Sequence, residues 1–259
     1  MLLNAVVIVL REVLEASLII SVFLALSQIL NRSLKWMLLA LILGLISGVI
    51  YALTIRHVSM AFGGIGQELV NASINILIFI ALLIFVHVVP HQNDRRCRVL
   101  TILAIMSTVI LAMMREGSEV LLFITGFFGV PDLLGPVLMG GAVGAGLGVS
   151  VGVFIYYFIV NLIPRHGVWV GYLLLLFVAG SLMSQAIEFL IQADLFTSSE
   201  PIWNSSNIID EHSVAGQLLF ALVGYGATPQ ISQVIAYLFS MATLFCVAMF
   251  SFIKRDRNS

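Results

Sequence analysis

Charged residues are scarce in this 259-residue chain, at 10% of the sequence, while 61% of its residues are hydrophobic. So little charge excludes an ordinary soluble domain and a basic surface for nucleic acid. The two cysteines, Cys97 and Cys246, are too few and too far apart for a metal or redox motif, and we expect them to be unpaired. No basic residues precede the first apolar run and no small-residue cleavage site follows it, so we expect it to be retained.

Long apolar runs are what the chain has instead. A helix that spans a bilayer needs about 20 mostly apolar residues, and seven runs qualify: 2–30, 34–56, 68–89, 98–128, 134–163, 168–193 and 230–253. They predict an all-α integral membrane protein, a single membrane domain over 1–259 that crosses the cell membrane several times. The connection 194–229 contains the apolar run SVAGQLLFALVG, which is too short to span and is expected to form an interfacial or re-entrant helix.

Lysine and arginine are distributed unevenly around these runs. Two of the twelve lie inside spans, nine flank one side of the membrane, and Arg56 alone flanks the other. The positive-inside tendency places the nine in the cytoplasm, so we expect the N-terminus outside and the C-terminus inside. The outer side carries several acidic residues, which would either concentrate cations near a pore mouth or have no functional meaning, and the sequence leaves both interpretations open.

One charged motif occurs twice within the apolar runs. REVLE covers Arg11 to Glu15 in the first span, and REGSE covers Arg115 to Glu119 in the fourth. The second and fifth spans both carry glycines four residues apart, a pattern typical of close helix packing in membranes. Because each unit has three spans, the second unit must be upside down relative to the first. We therefore predict an inverted repeat of 1–90 and 98–193, with a site near the midplane, followed by the outer loop and a seventh span.

The charged residues of each motif share one face of a helix. The two glutamates are three residues apart, and the arginine precedes the second glutamate by four. An Arg, Lys or Asp at the centre of a membrane helix costs about 2.5–3.5 kcal/mol unless it is paired or solvated. Four glutamates against two arginines leave a formal charge of −2, which a structural salt bridge does not need and a cation site does. We predict that the metal ligands are Glu12, Glu15, Glu116 and Glu119, with Arg11 and Arg115 as charge partners.

The ligand type constrains the cargo. Carboxylate oxygens suit hard, highly charged cations, and no cluster of Cys, Met or His accompanies the motifs, which argues against Cu(I). An intramembrane di-iron enzyme is an alternative from another class, but such sites usually include Glu-x-x-His motifs, which are absent from this sequence. Further polar residues at helical spacing in the third and sixth spans should face protein or water, and we predict a secondary pathway through Glu68, Asn71, Asn75, Gln185, Glu188 and Gln192.

The paired Arg-Glu-x-x-Glu motifs and the late segment PIWNSSNIIDEHSVAGQLLFALVGYGATP resemble the oxidase-dependent iron permeases, which include fungal high-affinity and bacterial EfeU-type permeases. The resemblance covers essentially the whole chain. It implies transport of iron into the cytoplasm rather than enzymatic activity, no permanent cofactor, and iron binding by the motif glutamates. It also implies a partner, an extracytoplasmic ferroxidase or iron-delivery protein, for which the nearest acidic hand-over motif is Asp210, Glu211 and His212.

The sequence departs from the family pattern at three positions. Val13 stands where glycine is common, while Asn71 and Gln192 stand where further carboxylates are expected. The two amides keep oxygen ligands but lose charge, which leaves Fe²⁺ against Fe³⁺ open. A permease for another divalent or heavy-metal cation, such as lead or manganese, is the alternative. In either case we expect rocking of one repeat against the other to open the site to the cytoplasm.

Overall fold

The computed structural model describes residues 2–30, 34–91, 95–211 and 213–258, and these are almost entirely helical. Within them, seven long helices coincide with the predicted apolar runs, and each end lies within five residues of its prediction. One shorter helix lies in the long connection. The eight helices are α1 Leu2–Ile29, α2 Lys35–Met60, α3 Gly66–Val88, α4 Arg95–Thr125, α5 Pro131–Asn161, α6 Pro164–Gln192, α7 Val214–Val223 and α8 Ile231–Asn258.

Six of the described helices are long and apolar enough to cross a membrane, namely α2, α3, α4, α5, α6 and α8. The first helix, α1, is 28 residues long, carries the first charged motif and is not among these six. Large apolar side chains point outward, as a lipid-facing surface requires, with Leu53, Phe154 and Phe250 each at least 70% exposed. The all-α membrane architecture is confirmed, while the count of seven spans, the orientation and the division into repeats stay predictions.

The short helix α7 has well-defined ends. The Ser213 side chain accepts a hydrogen bond from the N–H of Gly216 at 3.0 Å, and Gly224, with φ of 70°, ends the helix in the left-handed region that favours glycine. These caps bound the run that was too short to span. The helix enters the bundle, where it contacts α1 and α6, and the Tyr237 hydroxyl of α8 donates to the carbonyl of Val223 at 2.6 Å.

Glycines bring two pairs of helices into backbone contact, α1 with α5 and α4 with α2. A Cβ at Gly144 would lie 2.4 Å from the carbonyl oxygen of Val6, and a Cβ at Gly44 would lie 2.8 Å from the Cβ of Met113. Any larger residue would therefore push the helices apart. The glycines on these faces are Gly44 and Gly48 on α2, and Gly140, Gly144, Gly148 and Gly152 on α5.

The first helix runs through the core of the molecule. Its second half is buried, with Leu18, Val22 and Leu26 at most 1% exposed. Phe23 packs edge-on against Phe85 of α3, with ring centroids 5.0 Å apart. Because α1 and α3 each pack against both α4 and α6, the polar residues on their inner faces are collected at a common centre.

Candidate metal site

The two charged motifs meet at this centre, although Glu15 and Arg115 are 100 residues apart in sequence. The Nη2 atom of Arg115 lies 3.5 Å from Oε2 of Glu15, which joins α4 to α1. Within each helix the arginine also reaches the glutamate four residues on. The distance is 3.4 Å from Arg11 to Glu15 and 3.7 Å from Arg115 to Glu119. These intrahelical pairs follow from helical spacing alone.

Three of the four motif glutamates lie close enough together to bind one ion. Carboxylate oxygens of Glu12, Glu116 and Glu119 are all within 4.8 Å of one another, and in the described part of the chain this is the group of acidic, histidine or cysteine side chains that converges in this way. Glu12 and Glu116 are buried, and Glu119 is one-third exposed. We call these three residues the carboxylate group.

The fourth predicted ligand, Glu15, lies beside the carboxylate group and not within it. Its Oε1 atom is paired with Arg11, and its Oε2 atom is 3.5 Å from Arg115. Gln185 also donates to Oε2 through its side-chain amide at 3.2 Å. Both oxygens of Glu15 are therefore engaged by donors from α1, α4 and α6.

The arginines differ in their surroundings. The Arg115 side chain is 3% exposed, lies 3.1 Å from Glu116, and donates through Nη1 to the side-chain oxygen of Asn75 at 2.5 Å. The Arg11 side chain is 39% exposed, and its guanidinium lies 4.3 Å from the ring centroid of Phe220 in α7. That distance is within the range of a cation–π interaction.

One carboxylate oxygen in the group is left without a partner. Oε1 of Glu116 faces Arg115, whereas Oε2 is buried and has no hydrogen-bond partner among the described residues. A buried polar atom of this kind is costly unless something compensates it. A hard cation between the three carboxylates would supply that compensation, since such ions prefer oxygen ligands. The donor set therefore fits a metal ion as a transported substrate.

The predicted secondary pathway divides into two sets. Asn75 and Gln185 reach the motifs directly, and Asn71 accepts a hydrogen bond from the Tyr51 hydroxyl at 2.9 Å. Glu68 has one buried oxygen without a hydrogen-bond partner among the described residues. The other set, Glu188 and Gln192, is exposed, and the two residues contact each other at 3.5 Å.

The predicted delivery motif in the long connection is placed outside the carboxylate group. Asp210 is exposed, and the Glu211 carboxylate accepts a hydrogen bond from the N–H of Ala227 at 3.2 Å. Glu211 therefore holds the two sides of the loop together. His212 lies outside the described residues.

Two contacts of the site were missed from the sequence. Phe220 covers Arg11, and Tyr51 holds Asn71. An aromatic residue in an apolar run carries no local signal of such a contact, since its partner lies on another helix. Only the polarity of Asn71 within a span indicated that a donor would have to face it.

The fold and the site together define a class, a multi-pass membrane protein with an excess of carboxylates at the buried junction of two helices. Sequence comparison narrows this class. The iron permease FTR1 family matches residues 2–253, so the chain belongs to this family. The family is one of iron permeases, which are membrane transporters and not enzymes, and the resemblance inferred from the paired motifs is confirmed.

Individual relatives are more distant. The chain is 29% identical over 136 residues to the ferrous iron permease EfeU of Yersinia pestis, a match that covers 52% of this chain and 48% of that protein. The EfeU of Yersinia pseudotuberculosis matches at the same identity and length, with 47% of that protein covered. The chain thus spans about half the length of the curated relatives it matches. No solved structure is significantly similar to it.

Proposed function

We propose that this chain moves iron ions across the membrane into the cytoplasm and that the ion binds between α1 and α4. The observation that carries the proposal is the convergence of Glu12, Glu116 and Glu119 within 4.8 Å in an otherwise apolar bundle. The unpartnered oxygen of Glu116 adds to it. The two arginines compensate the carboxylates when no ion is bound, and they leave a net negative site that attracts a cation.

Membership of the iron permease family supports iron as the substrate. The relatives named above are ferrous iron permeases, and carboxylate oxygens bind both Fe²⁺ and Fe³⁺. Manganese and lead are the alternative substrates, since they also accept oxygen ligands. A competition experiment separates these ions from iron.

An inverted repeat accounts for how the site is built. The motif helix of each unit packs along the glycine helix of the other, α1 on α5 and α4 on α2, and this exchange is what a twofold relation between the units would produce. With the N-terminus outside and the C-terminus in the cytoplasm, both motifs lie about 15 Å deep, close to the middle of a core of about 30 Å. A site at the interface of the repeats is the arrangement expected of a transporter.

A partner that oxidises or delivers iron would act at the long outer connection. Among the described residues, the group of potential metal ligands that converges consists of glutamates alone, without cysteine or histidine. The loop leads directly into α7, and Phe220 of that helix lies over Arg11. A partner docked at the loop would therefore act on the metal site through α7 and its contact with Arg11.

Uptake of radioactive iron by proteoliposomes tests the proposal. Glu116→Ala should reduce uptake about tenfold or more, since it removes a buried ligand. Glu200→Ala, which removes an exposed loop carboxylate, is the matched control and should leave uptake near normal. Near-normal uptake by Glu12→Ala, Glu116→Ala and Glu119→Ala proteins alike would refute the site. Stronger competition by Mn²⁺ or Pb²⁺ than by unlabelled iron would make one of those ions the substrate.

A further inference from the structure

We propose that Asn75 and Gln185 are positioning residues that keep Glu15 out of the carboxylate group and so keep the bound ion releasable. The inference rests on the proposed function and goes beyond it. The two amides come from α3 and α6, the third helix of each predicted repeat. In the described part of the chain, Asn75 is hydrogen-bonded to Arg115, and Gln185 is hydrogen-bonded to Glu15 and Ser181, all of which lie outside the carboxylate group.

The four side chains close a ring of polar contacts. Arg115 donates to the oxygen of Asn75 at 2.5 Å, and the amide nitrogen of Asn75 donates to the oxygen of Gln185 at 3.5 Å. Gln185 in turn donates to Oε2 of Glu15 at 3.2 Å. Arg115 donates to the same oxygen at 3.5 Å, which completes the ring.

Burial makes this ring a strong constraint. Asn75 is 0% exposed, Gln185 6% and Glu15 9%, so bulk water does not compete for their hydrogen bonds. Hydrogen bonds in such surroundings are stronger than in water, and losing one partner leaves the others unsatisfied. The ring joins α1, α3, α4 and α6, so the position of Glu15 is tied to all four helices that surround the site.

The position in which Glu15 is held borders a small cavity. Glu15, Glu116, Ser181 and Gln185 supply its polar lining, and the rest of the lining is apolar. Glu12 and Glu119 do not line it. The cavity has room for a water molecule or a single ion. Glu116 thus belongs to the carboxylate group and also lines the cavity, while Glu15 lines the cavity without belonging to the carboxylate group.

The ring has a direct effect on affinity. The affinity of an oxygen site for a cation rises with the number of charged ligands. Transport requires an ion to bind firmly enough to enter and weakly enough to leave. Together with Arg11 and Arg115, the two amides hold Glu15 aside. This limits the site to three carboxylates and leaves the fourth next to the cavity as the following contact for the ion.

The test is a comparison of metal affinity with transport rate. Gln185→Met keeps the length and bulk of the side chain but cannot donate to Glu15. We expect Mn²⁺, used as a spectroscopic probe by electron paramagnetic resonance, to bind the purified full-length protein about tenfold more tightly. The maximal rate of iron uptake in proteoliposomes should fall. Gln28→Met, which also loses a hydrogen bond, to Tyr156, but on an exposed part of α1, is the matched control and should change neither quantity.

Two further variants separate positioning from a structural role. Asn75→Leu removes the acceptor of Arg115 and should produce the same tighter binding, which also covers the case in which Gln185→Met fails to insert. Adding Glu15→Gln to Gln185→Met should return the Mn²⁺ affinity to that of Glu15→Gln alone, because the freed carboxylate is then missing. A thermal unfolding measurement on each variant monitors the fold.

The outcomes are distinct from failure of the proposed function. Unchanged or weaker Mn²⁺ binding in both folded amide variants overturns the positioning role. Normal binding and uptake in Glu116→Ala protein overturns the metal site itself, whatever the amide variants do. Tighter binding with reduced maximal uptake in the amide variants, together with loss of binding in Glu116→Ala protein, supports both.

Discussion

The α1 and α4 motifs have the same spacing and different surroundings. Arg11 is 39% exposed at the side chain and Arg115 is 3% exposed. The second glutamate of α4, Glu119, belongs to the carboxylate group, while its counterpart in α1, Glu15, is held outside it. Local sequence therefore determines which charges pair along each helix, and the neighbouring helices determine which charges remain for an ion.

Aromatic contacts sharpen the difference. Arg11 lies 4.3 Å from the ring of Phe220, which comes from the short helix α7. Arg115 lies 5.9 Å from the ring of Phe189 in α6, with Asn75 as an additional acceptor. The α4 motif is fixed by long helices of the core, whereas the α1 motif is covered by a helix that belongs to a loop. We expect the α1 motif to be the more adaptable of the two.

The largest expected effect is a difference in stability between variants of the two arginines. Arg115→Gln leaves three carboxylates around it without their buried cation, and breaking a buried pair costs about 3–5 kcal/mol. Arg11→Gln should cost about 1 kcal/mol or less, because Arg11 is partly solvated. Thermal unfolding of the purified variants measures both losses. Equal destabilisation would contradict the difference in surroundings.

Glu116 and Glu15 should differ in how much each contributes to the affinity for a metal ion. Glu116→Gln removes a ligand and should weaken Mn²⁺ binding about 10–100-fold, the loss seen when metal sites are disturbed. Glu15→Gln should change the affinity far less, since Glu15 lies outside the carboxylate group. Titration of both variants by electron paramagnetic resonance makes the comparison. A larger loss for Glu15→Gln would show that this residue is a ligand of the bound ion.

The two glycine contacts should differ as well. Gly144→Ala places a Cβ 2.4 Å from the Val6 carbonyl and should cost about 1–3 kcal/mol by overpacking. Gly48→Ala, with its nearest atom 3.3 Å away on Met113, should cost less. Gly146→Ala meets nothing within 4 Å and should be neutral or stabilising, since alanine favours helix. Thermal stability in one detergent ranks the three, and a different order would rule out close packing as the cause.

The smallest expected effect concerns the contact between Arg11 and the ring of Phe220. Phe220→Leu keeps an apolar side chain and removes the aromatic face, so it should cost about 0.5–1 kcal/mol. Phe220 lies over Arg11, whereas the ring nearest Arg115 in this way is that of Phe189. Arg115→Gln and Phe220→Leu should therefore have additive effects, whereas Arg11→Gln and Phe220→Leu should not. A double-mutant cycle on unfolding free energies decides this. Additivity with Arg11→Gln would mean that the ring and the guanidinium do not interact.

Much of the fold followed from patterns with a short range. Apolar runs located the seven long helices, and the short run SVAGQLLFALVG, from Ser213 to Gly224, located the short one. The pairing of Arg11 with Glu15 and of Arg115 with Glu119 followed from the turn of a helix. These features depend on residues at most twelve positions apart, or on composition, and therefore can be read from one sequence.

The division of labour among the four glutamates could not be predicted in this way. Glu15 is held by Gln185, 170 residues away, and Arg115 by Asn75, 40 residues away. The packing of the glycine faces determines which helices are neighbours. The rotation of each helix about its own axis then determines which carboxylate faces which donor. The sequence supported four equivalent ligands, and the structure brings together three.

The glycine faces also limit how the molecule can deform. A Cβ would sit 2.4 Å from the neighbouring helix at Gly144 and 2.8 Å from it at Gly44, so the helices interlock and cannot slide without separating. We expect α1 with α5 and α2 with α4 to behave as two stiff bodies, each drawn from both halves of the chain. Spin labels placed within one pair should keep their distance through the cycle, and labels across the pairs should not. The carboxylates lie on the boundary between these bodies, so an arriving ion changes the charge on the surface where they would shear.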